Sequence, residues 1–178
     1  SRCMALDHGR GLIHGVGFPR DHYFVYDLDA RRHTEYGRLG SVNPQAIWLD
    51  SAANAYTTDD WGRVVRFSPD RRRLERLDIR TPFAAWTDGW HNVVYDVVAD
   101  PRDPDVVYGC SWNLPSHIFR YRMDPKGGCG EMTDLGPGLP GAGYKELGTF
   151  FSDHVGGLVF GDDGCLYCLS AADGGLRW

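Results

Sequence analysis

Three residues able to carry charge near neutral pH stand at the same offset from an aromatic. His22, Arg63 and His117 each precede by four residues Tyr26, Phe67 and Tyr121. Two more histidines, His91 and His154, stand just before apolar runs, with Asn92 and Asp153 beside them. Trp61, Trp90 and Trp112 lie in or next to the same segments. The chemistry this set suits best is attack on an acidic sugar. Elimination across a uronic acid needs a cation on the carboxylate, so that the adjacent C–H becomes acidic; Arg63 or a bound cation supplies it. It needs a base near pH 7 and an acid for the departing glycosidic oxygen, and histidine, with an ordinary pKa of ~6.5, serves as either. His91, His154 and His117 are the candidate acid and base groups. Arg63, His22, Asn92 and the tryptophans Trp61, Trp90 and Trp112 are the candidate saccharide contacts, the indoles as flat apolar platforms.

Two other classes stay open. His91 and His154 could hold a divalent metal that activates water, as in a lactonase-like hydrolase, with Asp153, Asn92 or Asn43 completing the ligand set. The chain could equally be a binding module without catalysis. A paired-carboxylate hydrolase has weaker support, since only Asp59, Asp60 and Asp153 fall in suitable segments. Each residue also has an ordinary structural reading: a histidine hydrogen-bonded at a strand edge, or Arg63 paired with Asp59 or Asp60. His14 and His33 fall in outer or mid-strand positions and His8 in a turn at the opposite end, so none joins the candidate site.

The elements that must position these groups repeat. The pattern Asp7…Leu12-Ile13…His22…Tyr26-Asp27 recurs as Asp50…Ala55-Tyr56…Arg63…Phe67 and as Asp100…Val107-Tyr108…His117…Tyr121. A fourth copy begins at Gly161-Asp162-Asp163-Gly164-Cys165-Leu166-Tyr167. Each copy holds short apolar runs separated by Asp/Gly-rich turns, and no stretch keeps a helical period free of Gly or Pro. Repeats of this length made of short strands predict an all-β chain of β-propeller blades, each of four antiparallel strands. The approximate blades are 1–40, 41–83, 84–150 and an incomplete 151–178, about three and a half in a single domain. In the second copy the strands are expected at 46–49, 55–58, 63–67 and 74–77. In such blades the loop leading into the first strand and the loop joining the second and third lie on one rim. That topology predicts His22, Arg63, His91, His117 and His154 together around a channel mouth. Because propellers close with roughly 4–8 blades, the chain is expected to be part of a longer ring, completed by further blades of a parent chain or by another copy.

Composition narrows the partners. The formal charge of −5 argues against nucleic acid, and the one basic run, Arg71-Arg72-Arg73, reads as a solvated turn after Pro69-Asp70. No apolar stretch approaches the ~20 residues of a membrane span. The chain starts at Ser1 without Met, as a processed or truncated product would. The cysteines Cys3, Cys110, Cys129, Cys165 and Cys168 are odd in number and too sparse for a disulfide framework. Cys165 and Cys168 should point to opposite faces of a strand, which disfavours a metal or redox pair.

The second copy, with Asp50-Ser-Ala-Ala-Asn-Ala-Tyr-Thr-Thr-Asp followed by Gly-Arg-Val-Val-Arg-Phe-Ser-Pro-Asp70, is similar to the blade sequence of carbohydrate-acting and gluconolactonase-like propellers. It departs at Ala53, where Gly is usual. The resemblance implies a seven-bladed propeller of the polysaccharide lyase-like type, of which this chain is part, with a histidine-lined channel and an acidic oligosaccharide or polysaccharide as partner. The compartment is not fixed by the sequence, with an extracellular or periplasmic setting favoured. The resemblance carries no diagnostic catalytic motif, because many activities share the fold.

Overall fold

A computed structural model describes residues 3–17, 19–40, 44–82, 92–111, 116–138, 155–170 and 176–177. These residues form strands and turns, with no helix among them. The first sheet is β1 (Met4–Asp7), β2 (Leu12–Gly17), β3 (His22–Asp27) and β4 (Arg32–Arg38). The second is β5 (Trp48–Leu49), β6 (Ala55–Thr58), β7 (Arg63–Ser68) and β8 (Arg73–Arg80). The third is β9 (Val94–Asp100), β10 (Asp103–Ser111), β11 (His117–Arg122) and β12 (Glu131–Pro137). The fourth holds β13 (Val155–Phe160), β14 (Leu166–Ser170) and β15 (Leu176–Arg177). Every sheet pairs its strands in chain order and antiparallel, which is the meander of a propeller blade. Three four-stranded sheets and one three-stranded sheet match the repeat pattern.

The recurring aspartate explains the first hairpin of each blade. Asp50 Oδ1 accepts the backbone N–H of Ala52 and of Asn54, each at 2.9 Å, and its Oδ2 accepts from Asn54 Nδ2 and the Tyr56 hydroxyl at 2.8 Å. Asp7 accepts from the Arg10 N–H at 3.1 Å, and Asp100 from that of Arg102 at 2.9 Å. In the last blade Asp163 accepts from the Cys165 N–H and the Tyr167 hydroxyl. A short acidic side chain thus satisfies the amides that the turn removes from the ladder.

Packing runs between blades. Val16, Tyr23, Val25, Val65 and Phe67 close the space between the first and second sheets. Trp48, Tyr56, Val64, Val94, Phe119 and Tyr121 do so between the second and third. Cys110, Val155 and Cys168 begin the next layer. Size is matched across strands as well. Gly15 and Gly109 lie opposite Phe24 and Phe119, and a Cβ on either glycine would run into the ring. The equivalent pair in the second blade is Thr57 opposite Val65.

The five cysteines are free thiols. Cys3, Cys110 and Cys168 are buried, and burial pushes the thiols of Cys3 and Cys110 up to about 12, so both are inert. Cys168 is buried and Cys165 exposed, but Cys165 ends the turn before β14 and is not in the strand as expected, so alternation does not set its side.

Ala53 adopts φ 59°, a left-handed conformation that a Cβ disfavours. The glycine usual in this blade pattern would fit without strain. Ala53→Gly is expected to stabilise the protein by about 0.5–1 kcal/mol, after allowing for the extra freedom of glycine in the unfolded chain. A denaturant titration should show a higher midpoint with an unchanged slope.

Candidate functional site

His22, Arg63 and His117 each open the third strand of their blade, and each pairs across to the outer strand just before a register shift. Residues two and four further along share their face: Val65 and Phe67 pack on the first blade, and Phe119 and Tyr121 on the second. His22, Arg63 and His117 therefore hold one structural position in three blades, at the rim end of the face toward the preceding blade. The shared offset in the sequence reflects this.

Their partners differ, and the difference has a simple origin. On that face the outer-strand residue opposite Phe24 is Glu35, that opposite Val65 is Arg76, and that opposite Phe119 is Asp134. In the first blade Glu35 meets His22 Nδ1 at 2.9 Å, and this bond holds the Glu35 carboxyl below its usual range. In the third, both Asp134 oxygens lie 2.9 Å from His117 Nδ1. These bonds turn both imidazoles toward the outer half of the blade and leave Nε2 as the nitrogen available to other groups. In the second blade the pair is two arginines. Arg76 swings to Asp59 (3.5 Å) and to the carbonyls of Arg38 and Leu39. The half-buried Arg63 is left with no side-chain partner among the described residues.

Asp59 builds the loop beside it. Its Oδ1 accepts from the N–H groups of Trp61 and Arg63 at 3.0 Å, and Gly62 closes the turn at φ 72° against Thr81 and Asn92. Trp61 is consequently 53% exposed beside Arg63. Arg63 thus meets Asp59 through its backbone and not its guanidinium. The Asn92 N–H donates to the Asp60 carbonyl at 2.7 Å, so the lead-in to β9 sits on the same rim as this loop. The Asn92 side chain is buried, however. Its Nδ2 donates to Thr81 and Pro82, so it locks the loop instead of meeting solvent. His91, His154, Trp90 and Trp112, together with Asn43 and Asp153, lie outside the described residues. Among the described residues no three His, Cys, Asp or Glu side chains gather as a metal would require.

The sequence reading overlooked Glu35 and Asp134. A signal existed: Glu35 and Arg76 both lie thirteen residues after the strand-opening residue. In the third blade a longer hairpin carries Asp134 to seventeen.

Comparison with known proteins agrees with this architecture. No family model and no curated protein matches the sequence. Solved structures do match. One is a catalytically inactive histidine-to-alanine variant of virginiamycin B lyase from Staphylococcus aureus with quinupristin: TM-score 0.61, 13% identity, 99% of this chain and 54% of that one. A 6-phosphogluconolactonase candidate from Bacteroides uniformis gives TM-score 0.59 and 15% identity over 99% of this chain and 52% of the other. The Swd1 β-propeller domain of Myceliophteria thermophila gives 0.57 and 12%, over 100% and 54%. The extracellular domain of a one-component system candidate from B. thetaiotaomicron gives 0.59 and 15%, over 98% and 20%. The chain therefore has a β-propeller fold, and it spans about half the length, or less, of these structures.

Away from the rim, His14 sits mid-strand in β2, fully buried against Tyr23 and Phe67, with Nδ1 2.8 Å from the Tyr23 hydroxyl. Burial lowers its pKa from 6.5 to about 4, so it is neutral at pH 7. The unfolded chain takes up a proton near pH 6.5 and the folded one only near 4. The stability His14 contributes is whole above the unfolded pKa and is lost as pH falls through the folded one, by at most about 3 kcal/mol. His14→Gln, which keeps a hydrogen-bonding group for Tyr23, should flatten the dependence of unfolding free energy on pH between 6.5 and 4.

Proposed function

We propose that the chain is part of a carbohydrate-active β-propeller that takes an acidic saccharide on the rim around Arg63 and cleaves uronate-containing glycans by β-elimination. The observation that supports this most is the arginine, without a side-chain partner among the described residues, at a position where the neighbouring blades carry histidines hydrogen-bonded to carboxylates. A half-buried guanidinium with no counter-charge among the described residues suits an anion, and its fork fits a carboxylate. The exposed Trp61 beside it offers a face for a sugar ring. In this reading Arg63 neutralises the uronate carboxylate. A base, His91, His154 or His117, removes the proton next to the carboxylate. The electron pair forms the new double bond, and a second histidine protonates the departing glycosidic oxygen. His22 contacts the saccharide beside them.

The other blades of the ring would come from the same polypeptide or from another copy. The setting would be extracellular or periplasmic, as the extracellular domains among the similar structures suggest. No helix among the described residues is long and apolar enough to cross a membrane. A lyase among those structures, inactive when one histidine becomes alanine, fits a histidine-dependent chemistry. A second reading, a propeller that binds saccharide without cleaving it, draws support from the outward pairing of His22 and His117. A lactonase-like reading would place a divalent metal on His91 and His154. The described residues add no cluster of three His, Cys, Asp or Glu side chains to that pair.

The test is incubation of the intact parent ring with uronate-containing oligosaccharides, followed by ultraviolet absorbance of the unsaturated product; the isolated chain should be inactive or nearly so, lacking the rest of the channel. His91→Ala or His154→Ala should lower kcat by about 10²–10⁴-fold with little change in melting temperature. Arg63→Ala should raise KM and lower kcat, and Arg63→Lys should recover only part, because a point charge lacks the fork. Saccharide binding that needs Arg63 but yields no unsaturated product would establish the binding module. Absence of both cleavage and binding would end the carbohydrate reading.

A further inference from the structure

A second candidate site lies at the other end of the blades. The first hairpin and the outer hairpin of a blade share one rim, as the Leu28 N–H shows by donating to the Gly11 carbonyl at 2.9 Å. His22 and Asp27 mark the two ends of β3, roughly 17 Å apart at a strand's ordinary rise. Between the first and second blades on that far rim is a groove of ≈ 250 Å³. Leu12, Val25, Phe67 and Pro69 give it apolar walls, with Tyr36 set edge-on to Phe67 at 4.5 Å. Arg10, Arg32 and Arg72 supply three guanidinium groups, against the carboxylates of Asp27 and Asp70.

The three arginines are not equivalent. Arg10 is engaged, with Asp7 at 3.3 Å, the Ala52 carbonyl at 3.3 Å and Asp70 at 3.4 Å, and so ties the two blades together. Asp27 Oδ1 is occupied by the Ala30 N–H at 2.8 Å. The Arg32 and Arg72 side chains have no hydrogen-bond or ion-pair partner among the described residues. They come from the outer hairpins of different blades, so the groove exists only where the two blades meet.

The backbone adds an independent observation. The last residue of the outer hairpin is left-handed in each of the first three blades: Arg31 at φ 49°, Arg72 at φ 47° and Gly130 at φ 75°. Glycine adopts this conformation freely, and arginine does not. The third blade uses the favourable residue, whereas the first two hold an arginine there against backbone preference. Strain kept at a position where a strain-free residue is available points to a use for the side chain. At Arg72 the side chain lines the groove, whereas in the first blade it is the next residue, Arg32, that does so, and the backbone observation bears on Arg72 alone.

We infer that this groove binds a compact organic oxyanion, a single-ring carboxylate or a sulfate or phosphate ester of that size. Arg32 and Arg72 would clasp the anionic group, and the ring would lie against Leu12, Phe67 and Pro69. Guanidinium forks match all three oxyanions. The volume, below the ~300–1,000 Å³ of drug-sized pockets, limits the ligand to about one ring. The basic run read from sequence as a solvated turn is thus half of a site, because its partner, Arg32, arrives from another blade. The inference is independent of the uronate reading, which concerns the opposite rim.

Titration of isotope-labelled protein with sodium benzoate, sodium glucuronate and inorganic phosphate, followed by amide chemical shifts, tests it. At least one of the two organic acids should bind saturably, shifting amides of the 8–11, 28–32 and 69–72 turns. Arg72→Gly and Arg32→Gln should each weaken that binding about tenfold or more, the loss expected for a charged hydrogen bond. Arg72→Gly also relieves the left-handed backbone, so its melting temperature should hold or rise, and lost binding could not be ascribed to misfolding. Arg63→Gln should leave these shifts unchanged. Benzamide, the neutral analogue, should not bind. The proposal is overturned if neither acid binds, if benzamide binds as well as benzoate, or if inorganic phosphate alone binds. Binding that survives Arg72→Gly and Arg32→Gln but is lost in Arg63→Gln would also overturn it, while supporting the anion site at Arg63.

Discussion

Face-to-face burial between successive blades is the constraint on which the rest depends. A four-stranded antiparallel meander cannot enclose a core by itself; it has two faces, and each must meet another sheet. Strand alternation then assigns every residue to one neighbour. In β7, Val65 and Phe67 belong to the first blade, while Val64 and Arg66 face the third. The first sheet shows the same rule where no neighbour is described. Met4 and Leu6 are 63% and 38% exposed, on the face that also carries Phe24 and Tyr26.

Polar ties reinforce this packing at fixed points. Arg66 is buried in the second blade and donates to the Gly127 and Gly128 carbonyls of the third, at 2.8 and 2.7 Å, while also meeting Glu75 at 3.0 Å. Ser51 donates through backbone and hydroxyl to Asp105 across the same boundary. The Cys3 thiol reaches the Pro44 carbonyl and the Cys110 thiol that of Val155, each from one blade to the next. A buried guanidinium is costly unless it is paired, so Arg66 also selects one mutual placement of the two blades. Both candidate sites depend on such placement. One lies at the rim end of the interblade face, and the other is the gap between two outer hairpins.

How far each site could be read from sequence follows from the same geometry. The offset of His22, Arg63 and His117 from a strand aromatic is local, and local spacing within a strand survives folding unchanged. The strands expected at 55–58 and 63–67 appear at 55–58 and 63–68, where alternation and Asp/Gly turns put them. The chemical surroundings of the three residues are not local. Glu35, Arg76 and Asp134 come from the next strand out, across a register shift; a shared offset of thirteen marks the first two, and the longer third hairpin breaks it. Asn92 shows the opposite failure. A polar residue beside a predicted strand suggests an exposed ligand, yet the Gly62 turn of the previous strand pair closes over it.

The sequence by itself determined the all-β class, the blade repeat, the turns and the equivalence of the strand-opening positions. Those properties rest on periodicity, and periodicity is carried by neighbours along the chain. Only the tertiary structure decided which charges meet. His22 and His117 found carboxylates because acidic residues occupy the facing outer strand, and Arg63 did not because that strand offers Arg76. Arg32 and Arg72, forty residues apart, line one groove because two blades pack side by side. Charge pairing depends on distance in space, and in a stack of sheets that distance is set by the packing of faces.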